Sequence, residues 1–344
     1  MRLVPINKLR PNIELGIDIL DENARVLLKR GHMLNDININ RLQTTNISSI
    51  YIIDKYCYYG FSNYTSQPSN ILRIVVILKR LARKTRLGTI DKDDVIATLR
   101  VVNELVSTLN ATKHTFKIAY EPKKILTNDF EEKTIYIAIM STLLALKMGF
   151  SKSEASTLCL AALLRDLALI QPDDKWGRNH LSKNHPIISA KYLKYQYNLP
   201  QRVLDIVEQH HELHDGKGYP NKLKGDEIVP GAKILAIIDM YYKIKTTSLT
   251  ENPTLDVEEN FNRMMRHFDP AYVEQFLKSV DIYDPDTMVM LNNLDVAVVT
   301  PGYVGNPFRP QVKIIESKRF GRGITINLSH LPDLKIAKVL YFAE

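Results

Sequence analysis

The sequence predicts a mainly α fold, a central helical bundle with a small β-rich unit at each end. Three observations lead there. Apolar residues recur at helical spacing from about residue 116 to 285. Before and after that stretch, short runs alternate apolar and polar residues between turn residues, the pattern of half-buried strands. The length of 344 residues with 45% hydrophobic content is enough to bury a core in two or three domains.

Residues 1–56 form the first β-rich unit. In "ELGIDILDENARVLLKRGHML" two apolar stretches surround the turn residues "DEN", which predicts a hairpin, and "DININRLQTT" predicts a short helix after it. "GFSNYTSQPSN" has the composition of a linker and sets a boundary near residues 57–70, with linker and helices together covering 57–115. "NILRIVVILKRLARKTR" predicts a helix with Arg73, Lys79, Arg80, Arg83, Lys84 and Arg86 between its apolar positions. We read it as a packed helix with a solvated basic face rather than a phosphate- or membrane-binding strip.

The helical domain, residues 116–285, contains "TIYIAIMSTLLALKMG", "SEASTLCLAALLRDLALI", "PIISAKYLKYQ", "QRVLDIVEQHHELHD", "GAKILAIIDMYYKI" and "PAYVEQFLKSV", each read as one helix. Gly216 is the expected C-cap of the fourth. After "DPDTMVMLNNL" the segments "DVAVVTPG", "PQVKIIES", "GITINL" and "KIAKVLYFAE" read as strands of a small C-terminal β unit, residues 286–344.

A net charge of +8 and a pI near 9.2 favour anionic company without choosing it. Nucleic acid ranks last, because no aromatic-basic recognition module accompanies the charge. Cys57 and Cys159 stand far apart without a CxxC spacing, so neither a disulfide framework nor a thiolate zinc cage is indicated, and a reducing cytoplasm is the expected location. "MRLVPINKLRPNIEL" has no apolar signal region, and no stretch reaches the roughly 18 apolar residues of a membrane span. A protein neither secreted nor membrane-spanning is expected.

Three polar features do not fit a plain helical core. His210 follows Ile206 and Val207 at helical spacing and should point inward, with His211 beside it. From the residues alone, such a pair is as consistent with core hydrogen bonding as with a metal. Asp166 sits among Leu163, Leu164, Leu167 and Leu169, and Asp239 among Ile234, Leu235, Ile237 and Ile238. A buried ionised carboxylate requires a metal, a cation or a protonated neighbour, and Arg165 and Lys133 stand in or near apolar runs as candidate cations. His185, directly before Pro186, marks a helix start and completes the inward set.

The run His210, His211, Glu212, Asp215, Gly216, Gly218, Tyr219, Pro220 matches every fixed position of HHExxDGxGYP. By it the chain resembles the HD-GYP family, a branch of the HD superfamily of metal-dependent phosphohydrolases. The likeness continues through "NKLKGDEIVPGAKILAIIDM", "FDPAYVEQFL", "NHPIISAKYL" and "CLAALLRDLALI", over roughly residues 125–280, and residues 1–50 resemble a small domain that often precedes this module. The resemblance implies an HD-type bundle, hydrolysis of cyclic di-GMP, and two or three metal ions, often iron or manganese. It implies Asp166 as the bridging carboxylate of the catalytic centre, Asp239 as the later metal aspartate, His185, His210 and His211 as further ligands, and Asp129 as an acidic ligand of a third metal. Glu212, Asp215, Gly216, Gly218, Tyr219 and Pro220 match supporting and surface elements.

The chain also departs from the family pattern. The first family histidine aligns with Lys133, the histidine of HD with Arg165, and a following lysine with Leu169. Ammonium and guanidinium groups offer no lone pair and repel a dication. Where relatives carry basic phosphate contacts, only Lys243 and Lys245 are available, at shifted positions. The expectation is a degenerate, regulatory HD-GYP protein of cyclic di-GMP signalling that holds one divalent metal, iron or manganese, or none. Its partners would be cyclic di-GMP or a related nucleotide, and a protein docking on the Gly-Tyr-Pro turn. The alternative is an active phosphodiesterase with an unusual metal set. If cations replace the lost metal, Lys133 or Arg165 should lie within salt-bridge distance of Asp166 or Asp239.

Overall fold

The structure is a computed structural model that describes residues 1–21, 25–45, 47, 49–58, 69–112, 124–125, 129–171, 182–245, 257–302 and 306–342. The N-terminal strands are β1 (Arg2–Pro5), β2 (Ile13–Leu15), β3 (Ile19–Leu20), β4 (Val26–Leu28) and β5 (Met33–Leu34), followed by α1 (Asp36–Gln43) and β6 (Ser49–Ile53). Four of these strands pair in the order β1-β6-β2-β5. β3 and β4 form the antiparallel hairpin predicted around "DEN", although residues 22–24 of its turn lie outside the described residues. α1 begins where Asn35 accepts from the Asn38 amide at 2.9 Å, a side-chain cap for an otherwise orphan donor. Residues 59–68, most of the expected linker, also lie outside the described residues.

Among the described residues nine further helices follow: α2 (Ser69–Arg86), α3 (Lys92–Thr112), α4 (Asp129–Lys147), α5 (Lys152–Leu164), α6 (His185–Tyr197), α7 (Gln201–Gln209), α8 (Pro230–Lys245), α9 (Val257–Met265) and α10 (Pro270–Ser279). Between α3 and α4, β7 (Lys124–Ile125) pairs parallel to β3. α4, α5 and α8 are apolar on nearly every side because they lie in the middle of the bundle, packed on one another and ringed by α2, α3, α7 and α10. Part of the basic stripe on α2 has a structural use: Lys84 Nζ donates to Asp94 Oδ2 at 2.6 Å, and Arg80 pairs with the same carboxylate at 3.1 Å, tying α2 to the start of α3. The side chain of Arg73 lies outside the described ones.

The C-terminal strands β8 (Met288–Leu291), β9 (Val296–Val299), β10 (Gln311–Glu316), β11 (Thr325–Asn327) and β12 (Ile336–Leu340) pair antiparallel in the order β11-β10-β9-β8-β12. Their inner face continues the helical core, with Val289, Leu291, Ala297 and Val299 in one buried cluster with Phe276 and Val280. An aromatic chain crosses this junction: Tyr241 of α8 meets Phe276 of α10, which stacks on Phe261 of α9, which meets Phe308 ahead of β10. Among the described residues, no helix is long and apolar enough to cross a membrane.

Three elements differ from the sequence pattern. "DPDTMVMLNNL" was placed before the strands, yet it holds β8; Met288 and Val289 are both buried, so the alternation that marks a one-sided strand is missing. The helix "SEASTLCLAALLRDLALI" ends at Leu164, and Asp166 adopts φ −109°, ψ 10° before a 3₁₀ turn over Leu167–Ile170. An α-helix rotates about 100° per residue, so two successive charged side chains reach one interior site more readily where it breaks. The helix through "HHELHD" ends at Gln209, and Gly216, at φ +77°, lies in the loop beyond rather than capping a helix.

The aromatic chain is the part of this packing most open to a direct test. Phe276 is fully buried between Tyr241 and Phe261, so Phe276→Ala should lower the unfolding free energy by about 3–5 kcal/mol in denaturant titration.

Candidate metal centre

Five segments bring their polar side chains to one place. α4 supplies Lys133, the break after α5 supplies Arg165 and Asp166, the first residue of α6 is His185, the end of α7 gives His210 and His211, and α8 gives Asp239. The histidines are oriented by helix ends. His185 Nδ1 lies 2.8 Å from Ser182 O, and His210 Nδ1 lies 2.6 Å from Val207 O. A carbonyl only accepts, so each Nδ1 carries a proton and Nε2 is the nitrogen left facing the site.

Both Nε2 atoms face the same oxygen, Asp166 Oδ1, at 3.8 Å. That is too long for a hydrogen bond, and the buried His210 Nε2 and Asp166 Oδ1 have no hydrogen-bond partner among the described residues. His211 adds a third imidazole, and the ligand atoms of His185, His210 and His211 lie within 4.8 Å of one another. Three imidazoles, with Asp166 Oδ1 3.8 Å from two of their nitrogens, are a donor set of the kind that holds a divalent transition metal. Histidines whose second nitrogen is fixed by a backbone carbonyl have the usual arrangement of metal-binding imidazoles. Burial pushes the His210 imidazolium down to about 4, and burial together with His210 pushes that of His211 to about 2, so both rings are neutral donors near pH 7.

Two cations stand beside Asp166 and Asp239. Arg165 is 1% exposed; its Nη1 donates to Ala162 O at 2.5 Å, its Nε lies 3.3 Å from Asp166 Oδ2, and its Nη2 lies 3.7 Å from Asp239 Oδ1. Lys133 Nζ lies 2.9 Å from the same Asp239 oxygen. Burial alone would raise both carboxyls. For Asp166 the Arg165 guanidinium, with His210 and Lys133 behind it, reverses that effect; for Asp239 the Lys133 ammonium does so, followed by Arg165. Both acids are thereby held below the usual carboxylate range.

The signature loop builds the wall of this site. Glu212 is buried, and its carboxylate accepts from the amides of Asn221 (2.6 Å) and Leu223 (3.1 Å), folding the turn back onto the end of α7. Gly218 is required by this close approach, since a Cβ there would stand 2.3 Å from Leu213 N and 2.6 Å from Glu212 Cα. The Tyr219 amide donates to His211 O, and the Tyr219 ring lies on His211 with centroids 4.8 Å apart. Asp215 accepts from the Lys217 amide and pairs with His267 Nδ1 at 2.7 Å. Pro220 follows Tyr219 through a cis bond.

The remaining predicted residues lie elsewhere. Asp129 is the first residue of α4, with its side chain outside the described ones. Lys245 donates to Asp284 at 3.2 Å, and Lys243 is exposed. Leu169 packs in the apolar 3₁₀ turn. Sequence reasoning missed His267 and the pair formed by buried Lys233 with Asp269 at 2.9 Å, which joins α8 to the cap of α10. Lys233 carries the signal that singled out Lys133, a cation inside an apolar helical run.

Residues 123–272 match the protein family described as HD domain. The chain is 31% identical over 160 residues to a 3'3'-cGAMP-specific phosphodiesterase of Vibrio cholerae, covering 42% of this chain and 30% of the relative. It is likewise 31% identical over 142 residues to a cyclic di-GMP phosphodiesterase of Pseudomonas aeruginosa, covering 40% of this chain and 34% of the relative. The chain thus spans about a third of the length of these curated relatives. Among solved structures, an HDG"Y"P protein of Bdellovibrio bacteriovorus aligns over 80% of this chain and 97% of its own, at 17% identity and a TM-score of 0.46.

The buried guanidinium and the neutral imidazoles each lead to a measurement. Arg165→Leu leaves two carboxylates short of a counter-charge and should cost on the order of 3–5 kcal/mol, read as a lowered midpoint in chemical denaturation. In chelator, stability should also fall as the pH drops from about 6.5, the ordinary histidine value, toward the folded value of about 4 for His210. In that window the unfolded chain binds protons that folded His210 and His211 refuse, so unfolding gains as pH falls. Replacing both by asparagine should flatten this limb of the stability–pH profile.

Proposed function

We propose, for a chain that belongs to the HD-GYP family through its central HD domain, a regulatory role in bacterial cyclic di-GMP signalling, with hydrolysis lost or strongly reduced. The relatives are named for hydrolysis of cyclic di-GMP or 3'3'-cGAMP, which brings cyclic dinucleotides here as the ligand class. Asp166, His185, His210 and His211 would hold one divalent metal, iron or manganese. Bound there, such an ion supplies Lewis acidity toward a phosphodiester oxygen.

The observation that carries the reading is the position of Arg165 and Lys133. Ordinary hydrolysis of this kind uses a second cation to share the attacking and leaving oxygens. Here Arg165 Nε at 3.3 Å from Asp166, with Lys133 Nζ at 2.9 Å from Asp239, provides the charge of that second cation without any group able to ligate water or phosphate oxygen as a metal does. What the chain's own residues then do is bind and orient: Tyr219 walls the histidines, Glu212 fixes the turn, and Lys133, 41% exposed, stands toward solvent. Exposed Lys217, Asn221 and Lys222 line the outer edge of the turn, the surface we assign to a protein partner.

A second reading, an active phosphodiesterase with an unusual metal set, is favoured by the approach of His185 and His210 to Asp166. Metal analysis separates the two. Protein purified without chelator should carry no more than one divalent ion per chain, and its turnover of cyclic di-GMP with added iron or manganese should lie orders of magnitude below that of an intact relative. Robust metal-dependent cleavage to the linear dinucleotide or GMP would establish the second reading instead.

A further inference from the structure

The charge of the site can be counted residue by residue. Asp166 and Asp239 contribute two negative charges, Lys133 and Arg165 two positive ones, and histidines acting as lone-pair donors contribute none. The cluster is therefore electroneutral with no ion in it. A dication held by Asp166 and the histidines would bring it to a net +2, with a guanidinium that cannot leave, since Arg165 is 1% exposed and bonded to Ala162 O. Uncompensated positive charge in a mostly buried cluster disfavours the metal by itself. Each phosphodiester carries one negative charge, so a cyclic dinucleotide carries two and restores the balance.

We propose that Lys133 and Arg165 make metal and ligand binding conditional on each other: a divalent ion and a dianionic cyclic dinucleotide enter this site as a coupled pair, each weakly alone. Arg165, at the floor, is the charge that penalises the lone metal. Lys133, at the mouth and 41% exposed, is the cation that can turn from Asp239 toward a phosphodiester. This rests on the regulatory reading above and deepens it, because such a site responds only when both species are present. Coupling of this kind is reciprocal by linkage: the factor by which nucleotide tightens metal equals the factor by which metal tightens nucleotide.

The test is calorimetric titration of Mn²⁺ into the metal-free full chain, with and without saturating cyclic di-GMP, and of cyclic di-GMP with and without Mn²⁺. Mn²⁺ binding to free nucleotide is measured separately and subtracted. Both affinities should tighten by the same factor of at least tenfold. Lys133→Met removes one positive charge from a partly exposed position; Mn²⁺ alone should then bind several-fold tighter, and the coupling factor should shrink. Lys133→Gln, which keeps a polar head, should behave the same way. If both species bind but neither changes the other's affinity, the coupling is refuted while the regulatory reading stands. A coupling factor unmoved in both Lys133 variants refutes the part assigned to that residue. Binding of neither species under any condition refutes the coupling and the nucleotide-sensing form of the regulatory reading together.

Discussion

Two carboxylates inside a helical bundle must be neutralised, and much of the local architecture follows from how this chain does it. Asp166 and Asp239 lie in mostly apolar surroundings, where an unpaired anion would lose several kcal/mol of solvation. The solution is two side-chain cations from separate segments, one fully buried and one reaching in from the bundle's rim. Arg165 touches both acids and a backbone carbonyl, so it couples the end of α5 to α8, while Lys133 couples α4 to α8. The ion pairs therefore cross-link the three most buried helices. They fix relative positions as well as charge.

That requirement also explains why α5 stops where it does. Arg165 and Asp166 are neighbours in the chain, and both face the same cluster, an arrangement that the 3₁₀ turn after Leu164 accommodates. A comparable logic acts at α7. Its early end leaves Val207 O free to accept from His210 Nδ1, and this bond sets the tautomer that turns Nε2 toward Asp166. The loop beyond is secured by the Glu212 carboxylate, so the signature residues serve geometry before chemistry: Glu212 pins the chain, Gly218 permits close approach, and Tyr219 closes over the imidazoles.

The site is consequently asymmetric. On one side of Asp166 three imidazole nitrogens converge with orphaned polar atoms, an arrangement that suits a metal; on the other side stand the cations Arg165 and Lys133. The proposed regulatory role rests on this difference between the two sides, because a guanidinium and an ammonium carry the charge of a second cation but offer no lone-pair acceptor. This asymmetry links the resemblance to phosphodiesterases with the proposed regulatory role.

The sequence by itself determined the fold class and the inward set. Periodicity records which face of a segment is buried, so the apolar runs around Asp166, Asp239 and His210 marked them as interior, and two lone cations marked the candidates to pair with them. Tertiary structure decided where helices end and which charges meet. The stops at Leu164 and Gln209 depend on partners distant in the chain, such as the Asn221 and Leu223 amides that hold Glu212, and a local pattern carries no record of those. The same holds for β8, whose two-sided burial erased its alternation, and for Lys233 and Asp269, which meet only because α8 packs beside the start of α10. Burial is written locally in the order of apolar residues, whereas the identity of a buried charge's partner is set by packing between helices, and here that packing assigned Lys133 to Asp239 and Arg165 to both acids.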